Sequence, residues 1–248
     1  MRLSGRIALV TGAGGGIGSA VARCFAAEGA EVVLSDKTER QCRNVEREIV
    51  GAGGVARVVA ADMMKPHEIA ELFSGLEQLD ILCTVAGGDC DPVADVTALD
   101  EDRIGMNLDL NLRSCMLCCR EAARIMKPRQ SGRIVTMSSL TWRGAAGQFS
   151  YAAAKGGIVS FVRSLAMALG PDNITVNALA PALVDVPLFE RVLGAERWNA
   201  MKADAVSRYP LRRIARPEDV ARAALFFASD DAAFLTGQVL EISGGARL

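Results

Sequence analysis

Ile7-Ala8-Leu9-Val10-Thr11-Gly12-Ala13-Gly14-Gly15-Gly16-Ile17-Gly18 decides the fold of this 248-residue chain. A short apolar run enters a glycine-rich turn, and residues 17–28 follow with helical periodicity. Strand, turn and helix in that order open a parallel α/β unit. The turn then faces the helix N-terminus, where glycines allow the backbone close to a diphosphate and the helix dipole favours its charge. Gly12, Gly16, Ile17 and Gly18 are the candidate contacts. Glycine turns also occur for geometry alone, so the position between strand and helix carries the weight.

The same rhythm continues outward. Apolar runs near 31–35, 55–60, 80–84, 133–137, 174–179 and 238–242 complete seven expected strands. Val, Ile and Leu fall on both faces, as strands covered on two sides require. Helical patterns lie near 38–50, 66–75, 100–127, 151–169 and 217–228, the last opened by Pro217-Glu218-Asp219. The expectation is a single-domain Rossmann fold over 1–248, a doubly wound parallel sheet with helices on both faces. Residues 185–213 break the alternation with an irregular amphipathic look and are expected to form a substrate lid.

Composition narrows the classes. The 28 basic and 29 acidic side chains nearly cancel, which gives nucleic acid or an acidic membrane no electrostatic footprint. No uninterrupted apolar run reaches the ~18 residues of a membrane span, and no signal peptide precedes Ile7, so the cytoplasm is expected. Cys115, Cys118 and Cys119 share a helix face. The one histidine, His67, lies far off in sequence, so they read as apolar packing residues and no metal is expected. That lone histidine also weakens any Ser–His–Asp reading.

The second strand ends at Asp36, 18 residues after Gly18, where a carboxylate can accept from an adenosine ribose diol. It opposes a 2′-phosphate. Unit charges 4 Å apart repel by about 4 kcal/mol at an effective dielectric of ~20, and ~1.4 kcal/mol is tenfold in affinity. NAD is therefore expected over NADP, with Lys37 able to offset part of the repulsion.

Tyr151 and Lys155 stand four apart at the start of a small-residue helix, on one face. A phenol of pKa ~10 must drop ~2–3 units to exchange protons near neutrality. One cation ~5 Å away at an effective dielectric of ~20 supplies about 3 kcal/mol, enough for that.

Together these motifs resemble the short-chain dehydrogenase/reductase family over essentially the whole chain. Thr11–Gly18 is similar to its TGxxxGxG turn and Tyr151-x-x-x-Lys155 to its YxxxK signature. Gly132–Ser139 is similar to the strand ending in its catalytic serine, and Asn111, 21 residues before Gly132, to its helix asparagine. Asn107 lies nearby as a decoy. The resemblance implies that Tyr151 exchanges the substrate proton while Lys155 binds the nicotinamide ribose and tunes Tyr151. Ser139 would orient the substrate oxygen, and Asn111 would hold a relay water. Strand register favours Ser139, whereas spacing from Tyr151 favours Ser138. Asp62 and Met63 map to the adenine contact, Ala86 and Gly87 to the end of the fourth strand, and Pro181 and Val184 to the carboxamide segment. Thr84-Val85, Ala182 and Val186 depart from the usual residues.

By position, Asp89, Cys90, Leu140, Trp142, Arg143, Gln148, Leu183, Leu188, Phe189 and Trp198 would wall the pocket. Arg143 reads either as meeting a polar or anionic substrate group or as a solvated loop cation. The leading expectation is NAD-dependent interconversion of a small secondary alcohol and ketone. Reduction of 3-oxoacyl thioesters is the alternative, for which Lys127, Arg129 and Arg133 give a modest docking patch. A dinucleotide-binding regulator without turnover is a second alternative. The resemblance further implies a homo-oligomer, tetramer or dimer, paired through helices near 100–127 and 151–169.

Overall fold

The computed structural model describes residues 1–90, 92 and 95–246. Its centre is one seven-stranded sheet, wholly parallel, in the order β3-β2-β1-β4-β5-β6-β7. The strands are β1 Ile7–Thr11, β2 Glu31–Ser35, β3 Val55–Val58, β4 Ile81–Thr84, β5 Gly132–Met137, β6 Ile174–Pro181 and β7 Val239–Ile242. Each falls where its apolar run predicts, within about two residues. β3 stops at Val58, because the chain must turn from there toward Asp62.

Parallel strands need crossovers, and here the crossovers are helices on both faces. α1 (Gly16–Ala27), α2 (Glu39–Gly51) and α9 (Pro217–Ala228) cover one side. Phe25, Val32, Leu34, Ile81, Cys83, Val135 and Leu179 are buried there. α3 (Pro66–Ser74), α5 (Ser114–Met126) and α6 (Phe149–Leu169) cover the other. Leu9, Val33, Leu82, Ile134, Val176 and Ile158 pack beneath them, together with Cys115, Cys118 and Cys119. Ile81/Leu82 and Ile134/Val135 thus alternate between the faces, as strand geometry demands.

The single helix expected over 100–127 is two, α4 (Glu101–Leu108) and α5, joined without a break by a wide π turn at Asp109–Arg113. One extra residue in such a turn re-aims the side chains that follow. The 185–213 excursion is also more regular than its sequence suggests. α7 (Pro187–Leu193) and α8 (Ala195–Arg208) pivot at Gly194, whose φ is +81°. Trp198 anchors them, buried with Ala205 and Ile214 and 5.1 Å from the Phe189 ring centre. Tertiary burial of that one indole organises the segment, a signal its irregular periodicity hides.

Helix Phe149–Asp172 is the one segment among the described residues long and apolar enough, by length and composition, to cross a bilayer, although Lys155 and Arg163 interrupt its apolar run. Ile158, Val162 and Ala166 put part of that apolar character into the core.

Ile134 is fully buried at the middle of the sheet. Ile134→Ala is expected to lower unfolding free energy by about 2–5 kcal/mol, read as a fall in urea midpoint at constant slope.

Candidate active site

Strand order reverses direction between β1 and β4, so their carboxyl ends open a crevice. The glycine turn lies at that opening. Gly12 has φ +66°, and a Cβ on it would lie 2.7 Å from the Ala86 amide nitrogen. A Cβ on Gly18 would run into the Gly12 carbonyl oxygen. Both positions require glycine. α1 opens on Gly15 with no side-chain cap and no acid in its first turn. Its first amides, with the positive end of the dipole, therefore suit an anion such as a dinucleotide diphosphate.

Asp36 stands beside this turn. Its Oδ2 accepts from Gly14 N at 3.3 Å and its Oδ1 from Thr38 N at 3.0 Å. A carboxylate has about four acceptor positions, so capacity remains for a ribose diol. Asp62 Oδ1 accepts from Met64 N at 3.0 Å, and the Met63 side chain is buried against the Cys118 thiol. A nearby base would therefore meet the Asp62–Met63 backbone. Thr11 Oγ1 accepts from Val85 N and Ala86 N at 3.2 and 3.3 Å, tying β1 to the turn after β4. The Thr84 departure is absorbed by Cys115, 3.4 Å away. Pro181 ends β6, and buried Val184 bridges Ala215. Val186, at the root of α7, sits so close to Gly16 that a Cβ there would approach its Cγ1 to 2.7 Å. The residues leading into α7 thus pack against the phosphate turn.

Deeper in the crevice, β5 and α6 bring Ser139, Tyr151 and Lys155 together. The Ser139 hydroxyl lies near enough to the Tyr151 phenol to favour its ionised form. Ser138 does something else: fully buried, its hydroxyl donates to the Lys155 carbonyl at 2.9 Å and pins α6 to the strand end. Register, not spacing, thus identifies the serine that faces Tyr151. Lys155 Nζ donates to Met137 O at 2.9 Å and lies 5.4 Å from the Tyr151 ring centre. A Cβ on Gly87 would lie 2.6 Å from Asn111 Oδ1 and 3.2 Å from Lys155 Nζ, so the residue must be glycine to keep that space open.

The expected tuning of Tyr151 by Lys155 does not hold in the free site. Burial pushes the Tyr151 phenol up to about 12, outweighing the opposite pull of the Ser139 hydroxyl, and the Asp89 charge raises it further. Burial brings Lys155 down to about 8, with nearby Cys115 offsetting only part. The simple Coulomb estimate counted attraction and left out desolvation, which dominates here.

The Asn111 side chain is tied into the turn after β4. Its Nδ2 donates to Gly88 O and Asn107 O at 2.8 and 3.0 Å, and its Oδ1 accepts from Gly88 N at 3.0 Å. The side chain thereby clamps the Gly87–Gly88 turn. Asn107, passed over as a decoy, is a fully buried hub. It accepts from Cys90 N at 2.9 Å and donates to Ser150 Oγ at 2.8 Å and Asp89 Oδ1 at 3.3 Å. The four-residue spacing of Asn107 and Asn111 was the available signal, since it stacks both amides on one helix face.

Three pocket assignments change. Arg143 is held by Glu241 at 2.6 Å and stacks over Trp142, so it is not the anion receptor expected. Leu140 and Trp198 are core residues, at 2% and 1% exposure. Lys127, Arg129 and Arg133 pair with Asp172, Asp80 and Asp230, which dissolves the expected basic patch.

A diphosphate turn, an acid after β2 and a Ser–Tyr–Lys group at one crevice define the class of nicotinamide dinucleotide oxidoreductases. Residues 12–247 match the family model described as enoyl-(acyl carrier protein) reductase. The chain is 37% identical to the short-chain reductase protein NovJ of Streptomyces niveus, over 96% of this chain and 93% of that protein. It is 32% identical to the 3-oxoacyl-[acyl-carrier-protein] reductase FabG of Thermotoga maritima, over 99% of each. The structure of a 7α-hydroxysteroid dehydrogenase complexed with NADH superposes with a TM-score of 0.91 at 33% identity, covering 99% of this chain and 95% of that one. The chain belongs to the short-chain dehydrogenase/reductase family.

Lys155 carries a stability consequence. Its folded pKa of about 8 lies below the ordinary 10.5, so the unfolded chain binds the extra proton between those values. Stability therefore rises with pH through that window, and below pH ~8 the cost is on the order of 3 kcal/mol. Tyr151 acts oppositely, but only above its ordinary value of 10. Lys155→Met is expected to melt several degrees above the parent at pH ~7, with the gap closing by pH ~10, in calorimetry without cofactor.

Proposed function

We propose that the protein is an NAD(H)-dependent oxidoreductase that interconverts a secondary alcohol and a ketone, with Tyr151 as the acid–base. The carrying observation is the grouping of Ser139 and Tyr151 with buried Lys155, at the space kept open by Gly87. When bound, the nicotinamide ring supplies or accepts the hydride. Gly12, Gly16, Ile17 and Gly18 would hold its diphosphate, Asp36 the adenosine ribose, Asp62 and Met63 the adenine edge. Ala86, Gly87, Pro181 and Val184 would flank the nicotinamide end, with Lys155 at its ribose.

In reduction, Ser139 and Tyr151 hold the carbonyl oxygen and Tyr151 releases its proton as charge develops there. A phenol near 12 is protonated at neutral pH, which suits proton donation. In oxidation it must first give up that proton. The α7–α8 segment, rooted beside Gly16, would close over the pair and exclude water.

Asp36 supports NAD over NADP, since it would face a 2′-phosphate. The FabG relative supports thioester reduction as the second reading. The outward faces of α4, α5 and α6 expose Met106, Leu108, Met116 and Met167, which supports pairing of subunits there.

A ketone panel followed by NADH absorbance tests the activity. Tyr151→Phe is expected to lose about 10²–10⁴-fold in kcat/KM, the usual worth of a general acid. Flat traces for every ketone and thioester would return the chain to a dinucleotide-binding regulator. Asp36→Ala should narrow the preference for NADH over NADPH at least tenfold; tighter NADPH binding by the parent sinks the cofactor assignment. For alcohol oxidation, kcat/KM is expected to climb through the alkaline range, whereas ketone reduction stays level until Tyr151 ionises.

A further inference from the structure

We propose that Asn107 is a positioning residue for the reaction: through Ser150 it fixes the first turn of α6, and with it the place of the Tyr151 phenol. This rests on the oxidoreductase reading above and adds to that site a residue that acts on it from within the core.

A phenol that must meet a carbonyl oxygen at hydrogen-bond distance depends on where its helix begins. α6 begins without local help. Its N-cap residue, Gln148, makes no side-chain cap, and the lead-in holds Gly144 and Gly147 at φ +100° and +80°. The first amides of a helix have no partner inside it, so a start of this kind opens readily. Two tertiary hydrogen bonds hold it instead. Asn107 Nδ2 donates to Ser150 Oγ at 2.8 Å, one residue before Tyr151. Ser138 Oγ donates to the Lys155 carbonyl at 2.9 Å, one turn after it. Tyr151 lies between these two pins, and the side chains that make them are buried.

Asn107 is itself fixed from the other side. It sits in the last turn of α4, fully buried. Its Oδ1 accepts from Cys90 N at 2.9 Å, and its backbone carbonyl accepts from Asn111 Nδ2 at 3.0 Å. Asn111 in turn clamps the Gly87–Gly88 turn. One stacked pair of amides therefore sets both that turn and the start of α6. An apolar side chain of the same size would fill the volume and break the bond to Ser150, leaving a buried hydroxyl without it.

Asn107→Leu and Ser150→Ala each remove one end of that bond. In ketone reduction by the full-length protein, each should lower kcat about tenfold, with the KM for NADH within twofold of the parent. The double variant should fall within twofold of Asn107→Leu, because both changes act through one bond. A misplaced phenol slows its own proton transfer, so the solvent isotope effect on kcat should rise. Ile134→Ala, which loosens the core at mid-sheet, should lower the melting temperature and leave kcat and the isotope effect unchanged. An equal loss of kcat in Ile134→Ala overturns the proposal, as do additive losses or an unchanged isotope effect. Turnover by Ser150→Ala within twofold of the parent overturns it too, even if Asn107→Leu fails to fold. Should the parent reduce no ketone, the oxidoreductase reading fails separately, and hydrogen exchange then decides Asn107. Faster exchange at residues 149–153 in Ser150→Ala, with 158–169 as in the parent, sustains it; unchanged exchange at 149–153 overturns it.

Discussion

A wholly parallel sheet cannot be closed by hairpins, and that constraint arranges everything else in this molecule. Each strand must return through a crossover, so every strand ends on the same edge. Where the order turns between β1 and β4, neighbouring crossovers leave in opposite directions and a crevice opens. The phosphate turn, Asp36, the Gly87 turn, Ser139 and Pro181 come from five strand ends of this edge. They are far apart in sequence and meet only because the sheet aligns them.

Within the crevice, burial sets the chemistry. Lys155 is drawn out of water by the same packing that seats α6 on β5, and its ammonium donates to the Met137 carbonyl. The ammonium is destabilised and the neighbouring phenol is held protonated. Such a site is costly for the free fold and is poised for a ligand that brings compensating charge and hydrogen bonds. Stability is sacrificed where function needs a displaced proton equilibrium. The Asn107–Asn111 amides, stacked across the π turn, supply the rigidity that keeps Gly87, Asp89 and Ser150 in register with it.

The α7–α8 segment shows another use of local irregularity. Val186 at its root rests on Gly16 of the phosphate turn. Buried Trp198 makes the two helices a unit with its own small core, separate from the two faces of the sheet.

The sequence by itself determined the strands, their parallel arrangement, the phosphate turn and the acid after β2. These are local or periodic signals: apolar runs on both faces, glycines where a Cβ cannot fit, four-residue spacing on a helix. It also carried Tyr151, Lys155 and Ser139, because strand register fixes which serine faces the helix. Only the tertiary structure decided the sign and strength of the interactions among them. Desolvation, absent from any spacing argument, moved Tyr151 and Lys155 away from the values attraction alone suggests. Arg143 pairs with Glu241, 98 residues away in the chain, and the cations at 127–133 pair with acids also distant in sequence. Asn107 became a hub through Asp89, Cys90 and Ser150, partners no local window contains. Electrostatics and burial depend on distances in space, and those exist only once the chain has folded.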